Sequence, residues 1–192
     1  MDNKFFTFIK PYLSYIDSGS FFRQPFGWLY MLMAGVNLLI PFYIFYAAVD
    51  NHVFQLGAKA IFLFLLIWLV VVFASWVSFQ LWWDRKSKVT AVAGAGDEFT
   101  ATPVFAHFIQ TMGEWMGTWI GIVGFLVALL TTIILGESDR SFLGQIGLPF
   151  MESGAAFIIM MPVYGFLIVV VARFFAEQCR ALSAIANNTK KR

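Results

Sequence analysis

Histidine, glutamine, glutamate and threonine stand at positions 107, 110, 114 and 118 of this 192-residue chain. The intervals i, i+3, i+7 and i+11 would align His107, Gln110, Glu114 and Thr118 in one row along a helix. Such a row could handle protons, because an imidazole titrates near neutral pH and a carboxylate can take up or release one. Catalysis would also need a nucleophile or a metal converging on the row, and the sequence nominates neither. The expectation is therefore the polar face of an ordinary interfacial helix, with no catalytic residue, no cofactor and no metal site.

The remaining polar candidates are sparse. A carboxylate inside a bilayer is costly, which makes Glu114 and Glu152 suspects for function. The topology argued below brings Glu114 in near one membrane face and Glu152 near the other, so they cannot form a pair, and each is expected to stay hydrated or to cap a helix. Asn37 falls at mid-depth of an apolar run and is expected to bond a neighbouring helix. Asp50 and His52 are two potential ligands, too few for a metal. The single cysteine, Cys179, excludes an intramolecular disulfide and paired-cysteine zinc, and is expected to pack as a small residue. The stretch AGAGDE at 93–98 lacks the Gly-Lys-Ser/Thr of a phosphate loop and is expected to be a hinge.

The most specific local pattern is a ladder of small residues. Gly113, Gly117 and Gly121 form GxxxGxxxG, continued by Gly124 and Ala128. Missing side chains let a second backbone approach closely, which is how helices associate where lipid gives no hydrophobic drive. The partner is expected to be another span of the same chain, with a second copy as the alternative.

The elements that must position these residues follow from composition. Sixty per cent of the chain is hydrophobic and only 12% charged, against roughly 25% charged in soluble domains. Twenty-three phenylalanines and seven tryptophans would leave large apolar patches in water, so the surface is one suited to lipid. A spanning helix needs about 20 apolar residues. Runs at 26–48, 61–83, within 104–136 and at about 149–171 meet that test. The third is too long to lie wholly in lipid, so its span is placed at about 115–135, behind an interfacial helix. The fold class is thus an all-α integral membrane protein with four transmembrane helices and amphipathic interfacial helices.

Segment by segment, 1–25 reads as an amphipathic helix with Phe5, Phe6, Ile9, Tyr12, Leu13 and Ile16 on one face, bent at Pro11. Residues 26–83 hold the first two spans, 84–103 a loop, 104–171 the interfacial helix with spans three and four, and 172–192 a basic helical tail. In that tail Arg173 is expected to pair with Glu177, and Asn187 and Asn188 to end the helix. Eleven of the thirteen Lys and Arg fall in the two terminal segments and the middle loop, leaving Lys59 and Arg140 elsewhere. That bias puts both termini in the cytoplasm, in a bacterial inner membrane. Trp28, Trp82, Trp83, Trp115 and Trp119 fall toward the same face, as an interfacial belt would.

The net charge of +2 is too small to indicate nucleic acid as a partner. The partners expected are the lipid bilayer and either further copies of this chain or other membrane proteins. The functional expectation is a non-enzymatic scaffold, assembly factor or accessory subunit, with a small oligomeric channel or transporter as the alternative.

Overall fold

In lipid a backbone must satisfy its own hydrogen bonds, and a helix does so within one segment. The apolar runs of this chain are accordingly helical. The computed structural model describes residues 7, 9–18, 20–91, 101–136 and 156–190, and no strand occurs among them. In chain order the elements are α1 (Lys10–Asp17), α2 (Ser20–Asp50), a 3₁₀ turn (Val53–Gln55), α3 (Ala58–Ala91), α4 (Ala101–Thr118), a π-helical turn (Trp119–Val123), α5 (Gly124–Leu135) and α6 (Ala156–Lys190). The helix α4, the π turn and α5 form one continuous rod, Ala101–Leu135. With α2, α3 and α6 this makes four helices long and apolar enough to cross a membrane.

Several boundaries differ from the sequence expectation, each for a local reason. Pro11 sits in the first turn of α1, where its missing N–H has no acceptor to lose; the expected bend there involves residues outside the described ones. The helix α3 continues past position 83 to Ala91, shortening the expected loop. Asp84 and Lys88 support that last stretch, their side chains pairing at 2.6 Å one turn apart. Likewise α6 runs through Asn187 and Asn188 to Lys190. Glu152, the 93–98 stretch and the aromatic residues Phe5 and Phe6 lie outside the described residues.

Packing joins two antiparallel pairs. The helices α2 and α3 are linked by a short turn and lie against each other along their length. The glycine ladder sets the second pair: Gly113 faces Ala172, Gly117 faces Val169 and Gly165, and Gly124 faces Met161, so α6 descends as the ladder ascends. The helix α3 bridges the pairs through α4 and α5, while α6 packs on the ladder rod. Two cores result. One gathers Leu63, Phe64, Ile67, Val71, Val123 and Val127. The other, at the end carrying Arg85, gathers Tyr30, Ala34, Trp82, Val89 and Val104. Large apolar side chains such as Leu39, Phe42, Phe73, Ile133 and Phe166 point outward, an arrangement suited to lipid.

Candidate functional site

The end of the bundle carrying Arg85 and Arg173 concentrates the charged chemistry, and it is assembled from three helices. Arg85 and Arg173 are the first cations after the apolar runs of α3 and α6, and Glu114 precedes the uncharged part of the ladder rod. Because each marks the end of an apolar run, antiparallel packing brings all three to one level.

Glu114 is held from both sides. Arg85 Nη2 donates to Oε2 at 2.8 Å, and Arg173 Nη2 donates to Oε1 at 2.9 Å. Gln110 Nε2 donates to the same Oε1 at 2.8 Å, and the Gln110 carbonyl oxygen accepts from Arg180. The Glu114 side chain keeps 13% of its exposure and Arg85 22%, whereas Arg173 keeps 55%. The expected hydrated or capping carboxylate is instead a doubly paired one, and Arg173 reaches across to α4 instead of pairing with Glu177 on its own helix. The geometric cause is the glycine seam, which lets α4 and α6 approach closely enough for the arginine to span the gap.

His107 does not share this network through a hydrogen bond. It is buried, and its Nδ1 lies 2.9 Å from the Tyr30 hydroxyl. That hydroxyl also donates to Thr111 Oγ1 at 3.1 Å, while Thr111 Oγ1 donates to the His107 carbonyl at 2.9 Å. Thr118 turns back onto the Glu114 carbonyl at 2.7 Å. The row of four polar residues thus divides, with His107 in a buried triad that crosses to α2, and Gln110 and Glu114 in the ionic network.

Indole N–H groups tie the helices together at greater depth. Trp115 donates to Asn37 Oδ1 at 2.9 Å, which gives Asn37 its partner on a neighbouring helix, and Asn37 Nδ2 donates to the Met33 carbonyl at 2.7 Å. Trp119 donates to Ser78 Oγ at 2.8 Å, and Trp68 donates to the Pro41 carbonyl at 3.0 Å. Trp82 is fully buried against Tyr30, with ring centroids 5.0 Å apart. Of the expected aromatic belt, then, Trp82, Trp115 and Trp119 serve interior packing, and Trp28 and Trp83 remain on the outer surface.

The glycine ladder is closed within the chain. A β-carbon on Gly117 would stand 2.6 Å from the Gly165 carbonyl oxygen, and one on Gly121 would stand 3.4 Å from the Gly165 α-carbon. The residues that sequence reasoning missed are Arg85, Arg180, Tyr30, Thr111 and Ser78. For Arg85 a signal existed in its place at the end of an apolar run; for Tyr30, one hydroxyl among many aromatic residues, none did.

Chemically, the arrangement combines an ionic cluster at one level with a hydrogen-bonded interior. Among the described residues no three His, Cys, Asp or Glu side chains gather as metal ligands would. The molecule belongs structurally to the all-helical proteins with four helices able to cross a membrane. No family model, curated protein or solved structure matches the chain.

Proposed function

We propose that this chain is a non-enzymatic multi-pass membrane protein serving as a scaffold, assembly factor or accessory subunit of a membrane complex. The reading places both termini and the arginine-bearing end at the cytoplasmic face of a bacterial inner membrane, on the distribution of Lys and Arg. One observation carries it. Leu182 and Ile185 lie 9 and 12 residues beyond Arg173 on a continuous helix, about 14 and 18 Å past the charged level. They are 65% and 62% exposed and continue the face of Phe174 and Phe175. A row of apolar side chains beyond the lipid calls for cover, and its occupant in this reading is an apolar helix or groove of another membrane protein.

The test is the mass and composition of the intact complex, released gently from native membranes. The proposal expects another membrane protein at fixed stoichiometry, lost when Leu182→Glu and Ile185→Glu are combined. A solitary chain overturns it.

A defined homo-oligomer would favour a different reading, a small oligomeric channel or transporter. That alternative draws on the interior line of Tyr30, Asn37, Ser78, His107 and Thr111, all buried. Liposome flux that falls on Asn37→Leu or His107→Ala supports it; liposomes without flux for ions and common solutes count against it.

A further inference from the structure

We infer that the Arg85, Arg173 and Arg180 cluster is a binding site for the phosphate of an anionic phospholipid. The inference requires only that the four helices cross a bilayer and does not rest on the scaffold reading.

Charge at the cluster is unbalanced. Three guanidiniums meet one carboxylate, Glu114, which Arg85 and Arg173 share. Arg180 reaches only the neutral Gln110. Among the described residues, the other charges near this end do not restore the balance. Asp84 and Lys88 cancel each other at 2.6 Å, and Lys86 lies 5.3 Å from the centre of the Trp83 ring, adding a further cation. Glu177 stands on α6, four residues after Arg173 and three before Arg180, and forms no ion pair among the described residues. Counting Arg85, Lys86, Arg173 and Arg180 against Glu114 and Glu177 leaves two positive charges in excess.

The donors are also unspent. A guanidinium carries five N–H donors in a planar fork suited to phosphate oxygens. Arg173 and Arg180 each place a single Nη group in the network. Seven residues apart, they share one side of α6, about 10 Å from each other along its axis. Side chains of that length can converge on one headgroup phosphate between them. Arg173 is 55% exposed, so the phosphate can reach it from the membrane surface.

Depth selects the source. The cluster stands where the apolar runs of α3 and α6 end, which is the level of lipid phosphates when those runs fill the hydrocarbon. Basic pockets between helices at this level take anionic headgroups, each cation near the surface contributing about 1 kcal/mol. Inorganic phosphate would meet the same donors without the acyl chains that hold a lipid at the site.

The test uses the full chain in neutral detergent and native mass spectrometry to titrate bound lipid. The probes are dioleoylphosphatidylglycerol, dioleoylphosphatidylcholine and inorganic phosphate. The expected result is preferential binding of the anionic phosphatidylglycerol, weakened about fivefold by Arg180→Gln and strengthened by a comparable factor by Glu177→Gln. Glu177→Gln is informative because Glu177 bonds nothing that holds the fold, so tighter binding cannot come from rearranged packing. Lys59→Gln, at the opposite end of α3, should leave the preference unchanged. Equal binding of the two lipids, a preference insensitive to both Arg180→Gln and Glu177→Gln, or an equal response to inorganic phosphate alone overturns the inference.

Discussion

Gly117 and Gly165 bring two helix backbones together so closely that a β-carbon on Gly117 would lie 2.6 Å from the Gly165 carbonyl oxygen. The contacts that α6 makes at the arginine-bearing end depend on that approach, because Arg173 reaches Glu114 only while α6 lies tight against α4.

Gly117→Ala should therefore destabilise the protein by about 1–3 kcal/mol, since a backbone oxygen cannot swing aside as a side chain can. Gly124→Ala is expected to be milder, because its new methyl meets the Met161 thioether at 3.0 Å and that side chain can turn away. Gly35, with nothing within 4 Å of its added carbon, should accept alanine without loss. Thermal unfolding in detergent measures the series, and equal effects at all three positions would contradict the seam.

Tyr30→Phe removes one hydroxyl and strips both His107 Nδ1 and Thr111 Oγ1 of a buried partner. The expected loss is about 1–3 kcal/mol. A double-mutant cycle with Thr111→Val should show strong coupling between the two sites, and strict additivity would contradict the shared hydrogen bond.

Glu114→Leu leaves Arg85 and Arg173 without their carboxylate. Breaking a fully buried pair costs about 3–5 kcal/mol, but Arg173 is half exposed and screened, so about 1–3 kcal/mol is expected here. Arg173→Ala should cost less than about 1 kcal/mol for the same reason, and Arg85→Ala more. Chemical denaturation of the three variants gives the order. Arg173→Ala proving the costliest would reverse the assignment of which pair is sheltered.

His52 holds a left-handed backbone, with φ at 55°, in the turn between α2 and α3. Residues with a β-carbon bear about 1–2 kcal/mol there, which glycine avoids at a larger loss of conformational entropy on folding. His52→Gly is accordingly expected to raise stability by up to about 1 kcal/mol, and a lowered unfolding midpoint would show that the imidazole contributes something more.

The spans were legible because hydrocarbon thickness fixes how long an apolar run must be, and composition alone exposes such runs. The glycine ladder was legible too, since its meaning depends only on spacing along one helix. Pairings across helices were not. Glu114 meets Arg85 and Arg173 over separations of 29 and 59 residues, and the local alternative, Arg173 with Glu177 one turn on, was equally available to a reading of spacing. Similarly, tryptophans near the ends of apolar runs can face headgroups or the interior. Trp115 and Trp119 turned inward because Asn37 and Ser78 offered acceptors that lipid lacks.

The π-helical turn at Trp119–Val123 has a consequence for how the ladder rod is phased. Glycines four apart overrun an α-helical turn of about 3.6 residues, so each step carries the next one about 40° further round the axis. A straight α-helix would rotate the stripe away from α6 within a few steps. A turn widened by one residue winds part of that drift back, keeping Gly121 and Gly124 on the side that Gly113 and Gly117 began. The five residues of this wide turn cover about the same arc as four in a regular α-helix, so deleting one residue from 119–123 would restore α-helix and leave Gly124 onward near its present phase. Deleting one residue from α4 instead would swing everything from Gly124 onward by about 100°. Val127, Ala128 and Thr131, now buried, would rotate toward the outside. Rotational phase, far more than length, is what this segment sets.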